Sequence, residues 1–159
     1  MSTEHAPMPE APELDGPAPR VLIISAPYYR EIVTGMLHAA QEILAQVDAL
    51  SEVIEVAGAY ELSQALAIAA VGNSAFDGFI ALGCVIRGET DHYEFICTAA
   101  INGLMQVASD RRIALGTGLL TVDTLTQAHA RSRETGSNKG AEAAVACLKQ
   151  IALRRRFGA

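Results

Sequence analysis

Positive charge is what this chain has least of. Twelve Lys and Arg residues stand against 18 Asp and Glu, for a net charge of −6 and a pI near 5.1. A nucleic-acid binder normally carries a basic domain, so that partner class is excluded. Long apolar runs are also missing. None approaches the ~20 residues that cross a bilayer, which removes a membrane role. The opening residues, MSTEHAPMPEAPELDGPAP, are acidic and proline-rich and lack the pattern of a secretory signal. Cysteine is sparse: Cys84, Cys97 and Cys147 lie far apart without a C-x-x-C pair. They read as reduced thiols of a cytoplasmic protein. Metal-ligand spacing is absent too, because His5, His38, His92 and His129 are scattered and none pairs at i, i+4 with another His or Cys. No G-x-S-x-G, Walker or G-x-G-x-x-G motif occurs.

Charged residues make up 19%, below the usual ~25%, while hydrophobic residues reach 50%. A largely disordered chain is thereby ruled out, and the balance suggests subunits that cover one another's apolar surface. The length of 159 residues suits one domain. Five of the six prolines fall in residues 1–20. Residues 1–19 therefore read as a flexible extension that buries too little to offset its ordering entropy. The folded body is expected over 20–159.

Within the body, apolar periodicity switches repeatedly between strand and helix patterns. Strands are expected at 21–26, 52–57, 78–85 and 112–121. Helices are expected at 30–48, 60–71, 91–109, 123–132 and 138–155. In the first helix Ile32, Val33, Met36, Leu37, Ala40, Ile43, Leu44 and Val47 form the inward stripe. In the third, Phe95, Ile96, Ala99, Ala100, Leu104 and Val107 do so. The order β-α-β-α-β-α-β-α-α predicts an α/β fold with a four-stranded parallel sheet flanked by helices on both faces. In such sheets ligands sit beyond the carboxyl ends of the strands. Four short stretches occupy those ends: 27–30, 58–61, 85–92 and 117–121.

Tyr28 and Tyr29 offer flat rings that stack on a ligand or, equally well, on a neighbouring helix. Gly58 permits a sharp turn before Ala59, Tyr60 and Glu61. Glu61, in the first turn of a helix, is either a capping acid or an acceptor for ligand hydroxyls. The turn Arg87-Gly88-Glu89-Thr90-Asp91-His92 precedes a helix, whose free N–H groups suit a phosphate. Glu89 and Asp91 oppose an anion unless their side chains turn away. His92 lies beside this turn, and an imidazole is the natural proton shuttle at cellular pH. Arg131 is either a planar clamp for a phosphate or a solvated charge. The run Arg154-Arg155-Arg156 fits a helix end.

GAYEL at 58–62, GCVIRGETDHYEF at 83–95, GLLTVDT at 118–124 and SNKG at 137–140 resemble the lumazine synthase family over about residues 20–155. The resemblance implies a flavodoxin-like three-layer sandwich that uses no cofactor and no metal. It implies condensation of 5-amino-6-(D-ribitylamino)uracil with 3,4-dihydroxy-2-butanone 4-phosphate in riboflavin biosynthesis, releasing phosphate and water. Carried over residue by residue, Tyr28 stacks on the pyrimidine. Ala59, Tyr60 and Glu61 line the pyrimidine and ribityl pocket. Cys84, Val85 and Ile86 hold the pyrimidine edge, and Thr117 closes the ring pocket from a neighbouring subunit. Glu89, Thr90 and Arg131 bind phosphate, Lys139 supports them, and His92 is the catalytic histidine. Thr117 departs from the phenylalanine common at the closing position. The resemblance also implies pentamers with active sites between subunits, stacked in some members into a sixty-subunit shell. Residues 133–138 depart from the glycine-lysine-glycine-asparagine pattern of shells, and both states stay open. Riboflavin synthase, which takes the product, is a candidate partner. Two rivals remain: a Schiff-base aldolase on Lys139, and a flavin- or lumazine-binding shell protein with little turnover.

Overall fold

A computed structural model describes residues 8–71, 75–133 and 136–158. Residues 1–7 of the expected extension, and Glu134 and Thr135 of the segment weighed for shell formation, lie outside them. The elements in chain order are β1 (Arg20–Ala26), α1 (Arg30–Ala45), β2 (Leu50–Glu55), α2 (Ala59–Ala69), β3 (Gly78–Ile86), α3 (His92–Arg111), β4 (Ala114–Val122), α4 (Leu125–His129) and α5 (Lys139–Phe157).

All four strands pair in parallel, in the order β2-β1-β3-β4. Side chains of a strand alternate between faces, and both faces of β1 are covered. Val21 and Ile23 join α1 and α5 in one apolar cluster with Ile80 and Leu82. Leu22 and Ile24 join α2 and α3 in a second cluster with Phe79 and Ala81. Helices thus flank both faces, and the expected three-layer α/β sandwich is what forms. Central strands buried on two sides read as unbroken apolar runs, which is why VLIISA was legible.

α5 approaches β4 and α1 unusually closely. A Cβ at Gly116 would sit 1.9 Å from the Ala143 carbonyl oxygen, and one at Gly140 only 1.8 Å from that of Met36. Only hydrogen fits at either point. Asn138 caps α5 and is fully buried. Its Oδ1 accepts from the N–H groups of Gly140 (2.8 Å) and Ala141 (3.4 Å), and its Nδ2 donates to the carbonyls of Gly35 and Arg133.

Element boundaries moved where long-range pairing outweighed local pattern. β2 starts and ends two residues before the expected 52–57, because Leu50 N donates to Pro19 O and its register places Leu50 opposite Arg20. β4 starts at Ala114, not 112, because Arg112 closes α3 with a left-handed backbone, φ 52°. α1 stops at Ala45, and Asp48 turns the chain with φ 53°.

The inward face of α3 also differs from the expected one. Cys97, Ala100, Leu104 and Ala108 are buried, while Phe95 and Ala99 are exposed. Ala100 and Leu104 of the expected stripe are buried, and Ile96 and Val107 pack against the same cluster, so only Phe95 and Ala99 of that stripe fall outside the inward face. Small residues let α3 meet α2 closely, where Gly103 approaches Ser63.

Residues 8–19 lie along the body. Met8, Ala11 and Leu14 pack against the cluster of α1 and α5. Ala11 N donates to Gln46 Oε1, and the Arg155 guanidinium donates to the carbonyls of Asp15 and Pro17.

Candidate functional site

The strand order reverses direction between β1 and β3, and the helices that follow these strands, α1 and α3, pack on opposite faces of the sheet. Doubly wound sheets bind ligands at such a switch point. A cleft of about 260 Å³ opens at that place. β1 delivers Tyr28 and Tyr29, β3 delivers Cys84, Val85 and Ile86, the start of α2 delivers Gly58 and Ala59, and the turn into α3 delivers Gly88, Thr90, His92, Tyr93 and Ile96.

The walls are aromatic and aliphatic. Tyr28 is largely exposed at the lip and meets Tyr29 edge-on at 5.2 Å between ring centroids. His92 is exposed and its ring lies 6.1 Å from that of Tyr60, which brings Tyr60 beside the cleft without lining it. Glu61 N donates to Gly58 O, so the carboxylate-bearing first turn of α2 closes directly on the glycine at the cleft wall. Burial pushes the Cys84 thiol up from its ordinary 9.0 to about 11, so the pocket floor presents a neutral S–H. Burial, then the neighbouring Tyr28 and Cys84, raises Tyr29 as well.

Glu89 is exposed and lines neither this cleft nor the next.

A second cleft, of about 200 Å³, lies along β4. Thr117, Gly118, Thr121, Arg131 and Lys139 are among its lining residues, and it shares none with the first. The sequence-predicted set is therefore divided. Tyr28, Ala59, Cys84, Val85, Ile86, Thr90 and His92 come together in one cleft, whereas Thr117, Arg131 and Lys139 come together in the other. Arg131 is held there by a bond from its guanidinium to Gln127 O at 3.0 Å, and Lys139 is paired with Glu142.

A larger groove of about 370 Å³ runs between α3 and α5 at the opposite end of the sheet, beside Met105, Ile113, Leu153 and Phe157. It carries no histidine or carboxylate, so size does not mark the chemistry here. Among the described residues no group of three His, Cys, Asp or Glu is placed to hold a metal ion. No helix of the described residues is long and apolar enough to cross a membrane.

Sequence reasoning passed over Tyr93 and Ile96, which line the first cleft, and Asp123, which meets Arg87. Ile96 follows His92 by four residues, so a helical-wheel reading from His92 would have found it, whereas Tyr93, one residue on, falls on another face by that reading. Asp123 has no such signal, since 36 residues separate it from Arg87.

A three-layer parallel domain with a histidine at the rim of an aromatic cleft, open at the topological switch point, belongs to the flavodoxin-like class of small-molecule α/β proteins. Comparison with family models narrows this further: residues 18–155 match 6,7-dimethyl-8-ribityllumazine synthase. A protein of that name from Bartonella tribocorum is 41% identical over 140 residues, covering 88% of this chain and 93% of that protein. Another from Methylobacterium radiotolerans is 42% identical over 152 residues, covering 96% and 91%. One from Rhizobium meliloti, called 6,7-dimethyl-8-ribityllumazine synthase 1, is 40% identical, covering 87% and 94%. The chain belongs to the 6,7-dimethyl-8-ribityllumazine synthase family.

Proposed function

We propose that this chain condenses 5-amino-6-(D-ribitylamino)uracil with 3,4-dihydroxy-2-butanone 4-phosphate to give 6,7-dimethyl-8-ribityllumazine, phosphate and water. The observation that carries the reading is the meeting of Tyr28, Thr90 and His92 in one cleft at the β1/β3 switch point, in a chain of this family.

The chemistry asks little of the protein beyond position and proton transfer. The 5-amino nitrogen attacks the ketone, and the adduct loses water to give an imine between the two substrates. Loss of the C3 proton expels phosphate from C4 and leaves an enol. A proton returned to C4 gives a methyl ketone, which the ribitylamino nitrogen attacks, and a second water leaves as the ring closes. His92 at the rim is placed to carry protons in these steps. Tyr28 and the aliphatic wall hold the flat pyrimidine, Tyr60 and Glu61 extend toward the ribityl chain, and Cys84, Val85 and Ile86 border the ring. Thr90 and the N–H groups opening α3 receive the phosphate, while Glu89 contributes through the backbone of the same turn. Holding both substrates together lowers the barrier by roughly 7–11 kcal/mol at best, so few reactive groups suffice.

A cleft of about 260 Å³ falls below the ~300–1,000 Å³ usual for small-molecule sites. The second cleft supplies what the first lacks, a guanidinium. We infer that Arg131, with Lys139 beside it and Thr117 at the ring, completes the site of a neighbouring copy in a ring of identical subunits. The three free cysteines fit a cytoplasmic location. The test mixes purified protein with both substrates and follows the product's absorbance together with released phosphate. Stoichiometric appearance of both is expected; phosphate release without the chromophore, or neither, overturns the assignment.

A further inference from the structure

The turn between β3 and α3 carries Thr90 and leads into His92, yet little holds it. Gly88, Glu89 and Thr90 are exposed, and a Cβ added at Gly88 would meet nothing within 4 Å. Asp91, the residue before α3, makes no side-chain capping bond. Arg87 N donates to Val122 O at 2.9 Å and anchors the start of the turn to β4.

The Arg87 side chain does the rest. Its Nε donates to Asp123 Oδ1 at 2.8 Å, and its Nη1 meets Glu94 Oε1 at 2.8 Å. Its guanidinium carbon stands 4.1 Å above the Tyr93 ring. Asp123 is itself oriented, its N–H donating to Gln127 Oε1 at 2.8 Å. One planar fork therefore joins three segments: the end of β3, the first turn of α3 and the turn after β4. Only a guanidinium matches two carboxylates and a ring face at once. Arg87 lines neither cleft, so it acts on a ligand only through the residues it holds.

We propose that Arg87 is a positioning residue, whose clasp on Asp123, Glu94 and Tyr93 sets the turn that presents Thr90 and His92 to the phosphate-bearing substrate. This inference rests on the reaction proposed above. It says that loosening the turn harms the butanone phosphate more than the pyrimidine, which the β1 and β3 ends hold independently.

The test compares wild type with Arg87→Gln, Arg87→Lys, Asp123→Asn and the double variant Arg87→Gln/Asp123→Asn. A misplacement of about 1 Å costs up to about 100-fold in rate, so Arg87→Gln is expected to lose ~10- to 100-fold in kcat/KM for the butanone phosphate. KM for the pyrimidine stays within about 2-fold, and the double variant falls no further than about 2-fold below Arg87→Gln, because both changes break one contact. Arg87→Lys, with charge but no fork, recovers only part of the loss. A pyrimidine KM raised as far as that of the butanone phosphate, full rescue by lysine, or unchanged kinetics overturns the proposal. Amide hydrogen exchange supplies a readout independent of turnover. The amides of residue 87, Glu94 and Phe95, which donate to Val122 O and Asp91 O at the two ends of the turn, should exchange faster in Arg87→Gln while the amides of β1 and β3 keep their protection; unaltered exchange there refutes the clasp. A wild-type protein without turnover defeats the reaction assignment and the substrate half of this inference, and the exchange comparison then decides the clasp alone.

Discussion

His92 and Cys147 illustrate opposite demands on a single side chain. The His92 ring is exposed at a cleft rim, at the first residue of a twenty-residue helix. Its removal leaves no cavity, and substitutions at such positions usually shift stability by no more than about 0.5 kcal/mol. His92→Ala is expected to lower kcat by roughly 10²–10⁴-fold, the range of general acid–base catalysis, with an unchanged circular dichroism spectrum. Near-wild-type turnover in steady-state kinetics removes it from the mechanism. Cys147 lies wholly buried between α5 and β3, where a Cβ at Gly78 would strike its sulfur. Burial pushes its thiol up from 9.0 to about 12. A thiol whose folded pKa exceeds its unfolded one contributes its full stability below the unfolded value and loses it as pH rises toward the folded value. Stability should therefore decline from about pH 9 upward. Cys84, Cys97, Tyr29 and Tyr93 are shifted in the same direction, each chiefly by burial. Cys147→Ala is expected to flatten the decline without abolishing it. Urea midpoints between pH 8 and 11 measure this, and parallel slopes for the two proteins count against the account.

Among the elements, α5 depends most on one cap. Asn138 closes the helix N-terminus and bridges it to Gly35 on α1 and to Arg133 at the end of the preceding loop. Asn138→Ala removes the acceptor for the opening N–H groups and strands buried carbonyls, which together cost about 2–3 kcal/mol. Asn138→Asp keeps the acceptor but sets a buried carboxylate oxygen against the carbonyls of Gly35 and Arg133, so at neutral pH it should be at least as destabilising as alanine. Urea unfolding ranks the three; an alanine variant as stable as wild type refutes the role. The capped start of α5 carries Lys139, so the same asparagine sets where that ammonium lies in the second cleft. S-N-K-G was legible as a motif, and asparagine before a helix is a familiar cap. That Asn138 also reaches α1, 103 residues back, was not.

For the molecule as a unit, two features bear on the proposed ring of identical subunits. Phe95, Ile101 and Met105 of α3, Ile68 of α2 and Val71 after it are exposed apolar side chains. The predicted site residues are divided between two clefts. If each working site takes His92 from one subunit and Arg131 from its neighbour, two inactive variants complement each other. Co-expressed His92→Ala and Arg131→Ala chains, mixed at random, should recover up to about a quarter of wild-type activity, since each intact site needs one chain of either kind in the right order. Each variant expressed alone stays at background. No recovery in assemblies shown by mass spectrometry to be mixed places both residues in one subunit's site.

Local pattern was enough for the element order and the parallel α/β class, because apolar periodicity, glycine turns and helix starts are properties of neighbouring residues. On α3, Ala100 and Leu104 turn inward as expected and Phe95 and Ala99 do not, since the edge of an apolar stripe depends on the helix it meets. Strand order, the two-residue shift of β2 and the clasp of Arg87 on Asp123 came from pairings between residues far apart in the chain. Nothing in a short window records such a pairing; it exists only once the sheet has brought both partners to the same edge.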